Sequence, residues 1–501
     1  MRTILALIFG AACAQETPDA QGPPNILLIS MDTVRADHTS VYGHHNNTTP
    51  NLAHIAKDGV IFQQAFSVAN ESAYSHAALF TGRYATELAY PNYRTFALPP
   101  EASTLPEMLQ AYGYQTAGFI AGGHVDGGFG FDQGFDTFSA EIGYASFFST
   151  APKALAWLNE EKDPEEPWFV FLHSYDAHRP YKSIGPFHHL YGNTQPSLLS
   201  EHIANSPKSS EQVYDRIYYE EEDPRFFEHV SGSKIMSLDT YRTLQSSSES
   251  IEGQPLSDED VVHIQDHYDA CLTYGDLMLG LFIADLRERG DLDNTLIIVV
   301  SDHGEDLLDH EYMNHRTALY DSVVKVPMIV SGPGFPKGET YDGLVDINDV
   351  VSTVALAAGA KLPAGSRDRP LQKVITGQAP AAEHVFFEGV LDMIGVRTKT
   401  HKLIYRGIPL DTPDYIDGLE KAELNNGHFQ FFDISTDPKE QTDLLLASPE
   451  TDLPIAKSLK AAMVQWRGSI PQSSYRLPSD AVKPEVMEQM QEHGYWDSET
   501  E

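Results

Sequence analysis

The sequence has little cysteine, few basic residues and no long apolar run. Two of its 501 residues are cysteines, Cys13 and Cys271. Once the segment around Cys13 is removed, neither an internal disulfide nor a cysteine-based metal site can form. Lysine and arginine number 34 against 72 aspartate and glutamate residues, and the net charge of −38 argues against binding to DNA or RNA. An apolar content of 41% is enough for a sizeable core and excludes a disordered or collagen-like chain.

The first residues have the pattern of an export signal. A positively charged start is followed by a short apolar run, Ile4 to Ala12, which is too short to span a bilayer. Cleavage after Ala14 would release a soluble exported protein, whereas cleavage before Cys13 would leave a lipid anchor on that cysteine. We expect a signal peptide or lipoprotein leader over 1–14 and a polar tether over 15–23. The protein would then be periplasmic, extracellular or lipid-anchored to the cell envelope.

Short β-branched and aromatic runs predict buried strands, and helical patterns lie between them. The predicted strands are Ile26–Ser30, Gln115–Ile120, Trp168–Leu172, Thr295–Ser301 and Val326–Val330. The predicted helices are Pro50–Lys57, Leu105–Tyr112 and His267–Arg289. This alternation predicts an α/β fold with a large, mostly parallel central sheet and helices on both faces.

Changes in composition divide the chain further. Residues 182–260 are polar, acidic and weakly periodic, which predicts an insertion between sheet elements. From residue 361, proline, glycine and charge mark a boundary, and four short strand patterns follow. We therefore predict a catalytic domain over 24–360, a small C-terminal antiparallel α+β subdomain over 361–476, and a tail with a short helix over 477–501.

Three of the predicted strands end in polar side chains. They run into Asp32, into His173 and His178, and into Asp302 and His303. In open parallel sheets, ligands bind beyond the carboxyl ends of the strands, so these groups are expected to converge at one edge. Aspartate and histidine at strand ends also cap turns. Three such ends together favour a metal site or an acid–base site.

Six motifs follow one another along the chain in a characteristic order. They are Asn25–His38 with Tyr42-Gly43, Thr49–Leu52 with Gly59–Phe62, Ser75–Arg83, His173–Tyr181, Ser301–Glu305 with Tyr320 and Val326-Pro327, and Phe432–Glu440. In this order they resemble the sulfatases of the alkaline-phosphatase superfamily. The resemblance covers about residues 24 to 446. It implies an alkaline-phosphatase-like fold and the hydrolysis of a sulfate ester carried by a small molecule or a glycan.

The nucleophile motif departs from this family. Typical sulfatases carry Cys or Ser followed by x-Pro-x-Arg, and the hydrate of the derived formylglycine attacks sulfur. The present chain has Ser72, with Tyr74 in place of the proline and His76 in place of the arginine. The resemblance implies Ser72 as the nucleophile, either as formylglycine or as an unmodified serine, whereas its position before a helix would equally suit an N-cap. His76, one helical turn further, is expected to orient the Ser72 oxygen.

The resemblance also implies one divalent metal, bound by Asp32, Ser72, Asp302 and His303. Met31 stands where most sulfatases have a further aspartate, so the site would have two carboxylates and one imidazole. The family favours calcium, and the histidine favours manganese or zinc. These alternatives remain open at this point.

Further residues are assigned to the ester group by the same resemblance. His178 and His315 would contact the ester oxygens or protonate the leaving group, and Arg83 would brace the site. His173 would either contact substrate or lie in the core. We expect an exported, metal-dependent sulfate ester hydrolase. Hydrolysis of a phosphomonoester or phosphodiester by unmodified Ser72 and an inactive glycan-binding protein are the alternatives. No nucleic acid partner is expected, and no membrane contact apart from the lipid anchor.

Overall fold

A computed structural model provides the structure of this chain. It describes residues 22–89, 96–141, 145–179, 181, 186–187, 190–192, 258–310, 313–316, 318–390, 392–407, 415–447 and 453–476. The predicted leader, nearly all of the tether and of the insertion, and the predicted tail lie outside these residues. Among the helices in the described ranges, none combines the length and the apolar character needed to cross a membrane.

Eight strands form the central sheet. They are β1 (Asn25–Met31), β2 (Gly59–Phe66), β3 (Gln115–Ile120), β4 (Thr137–Ala140), β5 (Trp168–Ser174), β6 (Thr295–Val300), β9 (Met328–Ser331) and β10 (Glu339–Asp346). Their spatial order is β10-β2-β9-β6-β1-β5-β3-β4, and β9 alone runs antiparallel to its neighbours. Two short strands, β7 (Asp306–Leu307) and β8 (Met313–Asn314), form a separate ribbon.

The central strand β1 explains why the sheet carries helices on both faces. Ile26 and Leu28 pack into one core, and Leu27 and Ile29 pack into the other, each with no exposed surface. A strand that is apolar on both sides must be covered on both sides, as is typical of parallel sheets. The predicted large, mostly parallel sheet is confirmed.

Two groups of helices provide this cover. The core of one face includes side chains of α1 (Pro50–Lys57), α5 (Phe147–Glu160) and α6 (Asp258–Glu288). The core of the other face includes side chains of α2 (Ser72–Thr81), α4 (Leu105–Ala111) and α8 (Asp349–Ala358). The remaining helices are short or C-terminal: α3 (Ala85–Leu88), α7 (Asp321–Val324), α9 (Leu371–Ile375), α10 (Tyr415–Lys421), α11 (Leu444–Ala447) and α12 (Leu453–Ser469).

The helix α6 begins earlier than the sequence pattern indicated. It starts at Asp258 rather than near His267, so its first residues had been included in the predicted insertion. Three acidic residues form its first turn, where they interact favourably with the helix dipole. The predicted helices α1 and α4 are confirmed, and a Thr104–Glu107 capping box begins α4.

A second, smaller sheet lies in the C-terminal part of the chain. It contains β11 (Val385–Gly389), β12 (Met393–Arg397), β13 (His401–Arg406) and β14 (Phe429–Asp433), paired in that order and all antiparallel. These are the four short strands that the sequence predicted. The helix α12 packs on β12 and β13.

A buried ion network joins α7 to this small sheet. Arg397 Nη2 lies 2.8 Å from Asp321 Oδ2, and Lys402 Nζ lies 2.8 Å from Asp321 Oδ1 and 2.9 Å from Glu440 Oε1. Burial by itself would raise the pKa of Asp321, but Arg397 and Lys402 outweigh burial and hold that pKa below its ordinary value. The network therefore depends on an ionised Asp321.

Replacing Asp321 with alanine should destabilise the fold strongly. The substitution leaves Arg397 and Lys402 buried beside a single remaining carboxylate, and breaking such a network costs about 3–5 kcal/mol. Denaturant unfolding followed by circular dichroism measures this change. Asp417→Ala is the matched control, because Asp417 pairs with Lys421 on an exposed helix surface and its loss should cost about 0.5 kcal/mol or less. Equal effects of the two substitutions would contradict a structural role for the network.

The same network predicts how stability depends on pH. Since the folded-state pKa of Asp321 lies below the ordinary value of 3.8, its contribution is complete above that value. The contribution is lost as the pH falls through the folded-state pKa. The stability difference between wild type and Asp321→Ala should therefore be constant near neutral pH and should narrow only below about pH 4.

Candidate metal centre and nucleophile

The carboxyl ends of three adjacent strands bring the predicted polar residues together. Because β1 pairs in parallel with both β5 and β6, Asp32 follows one strand beside His173 on the second, and Asp302 follows the third. The main-chain N–H of Thr33 donates to Asp302 Oδ1 at 3.2 Å, and His173 Nε2 lies 3.7 Å from Asp32 Oδ2. The predicted convergence at one sheet edge is confirmed.

Ser72 occupies the first position of α2, directly above this edge. Its Oγ lies 3.0 Å from Asp32 Oδ2 and 3.2 Å from His303 Nε2. The N-cap of the helix is Glu71, whose carboxylate accepts from the N–H of Ala73. Ser72 is therefore not the capping residue. Its hydroxyl points to Asp32 and His303 instead.

Three side chains at this edge form a group that could hold a metal ion. The ligand atoms of Asp32, Asp302 and His303 lie within 4.8 Å of one another, and all three side chains are buried. Asp32 Oδ1 and Asp302 Oδ2 are buried without a hydrogen-bond partner. Buried polar atoms rarely lack a partner, and a cation would provide one for both oxygens. The residues present therefore fit a divalent metal.

The tautomer of His303 supports the same conclusion. Its Nδ1 lies 2.9 Å from the carbonyl oxygen of Gly304, which can only accept, so Nδ1 carries the hydrogen. The lone pair of Nε2 then faces Ser72 and the two carboxylates. A hydrogen bond from the second ring nitrogen to a backbone carbonyl is common among metal-binding histidines.

The pKa values of the Asp32 and Asp302 carboxyl groups are shifted in opposite directions. Burial, and then the nearby Asp302, raise the pKa of Asp32. Asp302 is also buried, but His303 and then His76 keep its pKa below the ordinary value. Each carboxyl group opposes ionisation of the other, and a cation between them would favour the ionised form of both.

His76 and His173 lie beneath the centre. His76 Nδ1 donates to the main-chain oxygen of Ser72 at 2.8 Å, and its Nε2 lies 2.9 Å from Ser30 Oγ. We expected His76 to orient the Ser72 oxygen. His76 contacts the backbone of Ser72 instead, and Asp32 and His303 contact Ser72 Oγ. His173 Nδ1 accepts from the N–H of Ala121, and burial followed by His76 lowers the pKa of His173 well below its ordinary value.

His178 and His315 lie on the side of the centre that His303 forms. The ring of His315 stacks on that of His303 at 4.2 Å, and His178 approaches it edge-on at 5.7 Å. His315 Nδ1 lies 3.1 Å from Glu305 Oε1. Burial, together with the neighbouring His315, lowers the pKa of His178 to about 3. The structure therefore brings both predicted histidines to the centre.

Arg83 is not brought to the centre. It follows the C-terminus of α2, at the opposite end from Ser72 and about 15 Å away along the helix axis. Its guanidinium contacts the main-chain oxygen and the carboxylate of Glu87. A role for Arg83 in bracing this end of the helix is compatible with its position, whereas direct contact with an ester bound at Ser72 is not.

Sequence reasoning missed several charged groups around Ser72. Glu71 Oε1 lies 3.0 Å from His124 Nδ1 and 3.8 Å from Arg316 Nη2. Although burial opposes ionisation, His124 and Arg316 lower the pKa of Glu71 to about 2. No local signal links Glu71 to His124, which is 53 positions away. Glu305, in contrast, ends the Ser301–Glu305 motif, so its place at this edge follows from the sequence.

The chain is similar to known proteins in sequence and in fold. A family model described as Sulfatase matches residues 24–360. The N-acetylglucosamine-6-O-sulfatase of Bacteroides thetaiotaomicron is 24% identical to this chain, and the match covers 89% of the chain and 89% of that relative.

Two solved structures share the fold. One is a protein in complex with its substrate D-glucosamine-2-N,6-O-disulfate, with a TM-score of 0.65 and 20% identity over 89% of this chain and 98% of the other. The second is the phosphonate monoester hydrolase of Agrobacterium radiobacter, with a TM-score of 0.61 and 19% identity over 89% and 96% of the two chains. At these identities the likeness concerns the fold alone.

Replacing Asp302 with alanine should remove one bound divalent ion per chain and abolish hydrolysis. The substitution takes away one of the two carboxylates of the centre, while the strands that carry them stay packed. Metal content is measured by mass spectrometry of the purified protein, and folding by circular dichroism. The control is Asp58→Ala, because Asp58 is exposed and pairs only with Lys337 on the surface. Unchanged metal content in Asp302→Ala would show that the metal binds elsewhere.

Proposed function

The chain belongs to the sulfatase family, and from this premise we propose that it hydrolyses a sulfate ester of a small molecule or glycan at Ser72. The observation that carries the proposal is the position of Ser72 Oγ, 3.0 Å from Asp32 and 3.2 Å from His303 at the start of a buried helix. The activity after which the N-acetylglucosamine-6-O-sulfatase relative is named supports a sulfated amino sugar as one substrate class.

Anion binding is supported by groups that oppose the negative charge of the chain. Arg316 lies beside Glu71 at the start of α2, and the first turn of this helix presents the positive end of its dipole at the centre. The neutral rings of His178 and His315 add hydrogen-bonding nitrogens. A chain with a net charge of −38 repels anions at long range, so an anionic ester must be held by local contacts.

Asp32, Asp302 and His303 would hold the divalent metal, with the Ser72 oxygen as a further ligand. Bound there, the ion would lower the pKa of the nucleophile and withdraw charge from the ester oxygens. Calcium is the ion that the family favours, while an imidazole ligand and only two carboxylates suit manganese or zinc. Metal analysis of protein purified without added metal distinguishes these ions.

Two forms of the nucleophile lead to different chemistry. If Ser72 becomes formylglycine, an oxygen of its hydrate attacks sulfur, the ester bond breaks, and the second hydroxyl then expels sulfate as the aldehyde re-forms. If Ser72 stays a serine, its Oγ attacks the sulfur or phosphorus atom and Asp32 Oδ2 accepts the proton across the 3.0 Å contact. The original ester bond breaks, and its oxygen leaves with a proton as the alcohol. A water molecule must then hydrolyse the new ester, which is far easier for a phosphoserine than for a sulfated serine.

The second candidate function is therefore hydrolysis of a phosphate or phosphonate ester. It is favoured by Tyr74 and His76, which replace the proline and the arginine that the formylglycine motif requires. Tyr74 is buried in the core against Phe96, and His76 ties the helix to Ser30. The shared fold with a phosphonate monoester hydrolase is compatible with this alternative.

His315 is the better candidate for the acid that protonates the leaving group. Glu305 Oε1 lies 3.1 Å from its Nδ1 and holds the ring in place. Burial, followed by the neighbouring His303, lowers the pKa of His315 well below its ordinary value, so protonation of the ring depends on the negative charge of a bound ester. His178 instead faces the carbonyl oxygen of Arg179 through Nδ1, and the lone pair of its Nε2 is left to accept rather than to donate. Because the pKa of His178 is lowered to about 3, its neutral ring suits a contact with hydroxyl groups of the substrate.

An inactive glycan-binding protein is the remaining alternative, and the intact group of Asp32, Asp302 and His303 argues against it. Because the first residues have the pattern of an export signal, we propose that the enzyme acts outside the cytoplasm. Lipid attachment at Cys13 and a soluble periplasmic or extracellular form both remain compatible with the sequence.

Ser72→Ala should reduce turnover by about a thousandfold or more, because it removes the attacking oxygen. The melting temperature should hardly change, since Glu71 and not Ser72 caps the helix. Aryl sulfate, aryl phosphate and aryl phosphonate esters are the assay substrates. Ser75→Ala is the matched control: Ser75 is a buried serine of the same helix that contacts Ser67, and its loss should leave turnover within about tenfold.

Retained activity in Ser72→Ala would refute the nucleophile assignment. The mass of the Ser72 peptide from wild-type protein decides between the two forms of nucleophile. A peptide lighter by two hydrogen atoms, together with cleavage of the sulfate ester, supports the sulfatase. An unmodified serine with preference for a phosphorus ester supports the alternative.

His315→Asn should impair the hydrolysis of alkyl esters much more than that of nitrophenyl esters, because nitrophenolate leaves without a proton. His178→Asn should impair both substrates to a similar extent, because a group that holds the ester acts on all of them. Turnover is compared across leaving groups for the ester type that the wild type cleaves. The opposite pattern would assign the acid to His178.

A further inference from the structure

A second cluster of metal-ligating side chains lies on the other side of the loop that follows Asp32. His38 and His44 come from this loop, and Asp269 comes from α6. Their ligand atoms lie within 4.8 Å of one another. The side chains are 8%, 9% and 2% exposed, so all three are more than nine-tenths buried. None of them belongs to the group around Ser72.

The local sequence explains how two histidines six residues apart meet. Gly43 takes a left-handed conformation with φ 97°, which favours glycine, and the N–H of His44 returns to the carbonyl oxygen of Thr39 at 3.2 Å. This turn stacks the ring of His44 on the ring of His38, with centroids 4.7 Å apart and planes at 27°. One nitrogen of each ring then points to α6.

Both rings converge on the same carboxylate. His38 Nδ1 lies 2.7 Å from Asp269 Oδ1, and His44 Nε2 lies 2.6 Å from Asp269 Oδ2. Asn46 Nδ2 donates to Oδ2 at 2.8 Å. Asp266 lies three residues earlier on α6 and interacts electrostatically with Asp269 and His44, so the cluster carries a second acidic group.

We propose that His38, His44 and Asp269 form a second binding site for a divalent cation of the zinc type. Two neutral imidazoles and one carboxylate are a ligand set that zinc prefers. Ligand atoms bound to one zinc ion at about 2.0–2.1 Å lie about 3.3 Å apart. The two histidine nitrogens therefore need to move about 0.6–0.7 Å further from the Asp269 oxygens. The ring hydrogen on each bound nitrogen moves to the other ring nitrogen.

The site would connect α6 to the loop of the catalytic centre. Tyr268, next to Asp269, accepts from the N–H of Arg35 at 2.9 Å and donates to the carbonyl oxygen of Thr33 at 2.8 Å. Thr33 follows Asp32. A cation on Asp269 therefore fixes the helix against which the Asp32 loop is bound. The role is structural, and it does not depend on which ester the enzyme cleaves.

The test uses the full chain in the Asp302→Ala background, which lacks the ion of the catalytic centre. The chelator-treated protein is titrated with Zn²⁺ and with Co²⁺, and the bound metal is counted by mass spectrometry and by visible absorption of Co²⁺. We expect about one equivalent of bound metal per chain, and about none after a further His44→Gln substitution. The glutamine retains a hydrogen-bonding group for Asp269 but lacks the imidazole. His54→Gln is the matched control, because His54 is an exposed histidine beside Lys57 and should leave binding unchanged.

Two outcomes would overturn the proposal. One is the absence of bound metal in Asp302→Ala, and the other is equal binding with and without His44. Circular dichroism and the metal-free melting temperature establish that each variant is folded. If Asp302→Ala does not fold, His44→Gln and Asp269→Asn are made in the wild-type background. Each variant should bind one equivalent of metal less than wild type. Binding equal to that of wild type would contradict the site. Zn²⁺ should also raise the melting temperature of wild type more than that of His44→Gln.

Discussion

Two buried carboxylates that face each other impose the main constraint on this structure. Asp32 and Asp302 follow adjacent parallel strands, and neither has more than 1% of its surface exposed. Like charges so close together in a poorly polarisable interior cannot both be ionised without compensation. The N–H groups of Thr33 and His303 provide part of it, the Ser72 hydroxyl provides another part, and a cation would provide the rest.

The same constraint shapes the backbone of both loops. Thr33 takes a left-handed conformation with φ 57°, which is unfavourable for a β-branched residue, and in this conformation its N–H reaches Asp302. In the other loop, a Cβ on Gly304 would lie 2.2 Å from the carbonyl oxygen of Ser322, so only glycine fits there. Local strain and close packing of this kind are typical of functional sites.

Sequence patterns were sufficient wherever the controlling physics is local. The continuous apolar runs of β1, β5 and β6 predicted parallel strands, because a strand buried on both faces is apolar throughout. The parallel arrangement in turn placed Asp32, His173 and Asp302 at one edge. Strand β2 was not predicted, because Gln63 and Gln64 interrupt its apolar run; its pairing with β9 and β10 stabilises it nevertheless.

The sequence by itself therefore determined five of the eight strands, the polar edge of the sheet and the position of Ser72 among the motifs. Only the tertiary structure decided the partners of these residues. It assigned the cap of α2 to Glu71, turned His76 to the backbone beneath the centre, placed Glu305 behind His315, and left Arg83 at the far end of the helix. Side-chain contacts of this kind depend on packing between segments that are distant along the chain, and no local periodicity records them.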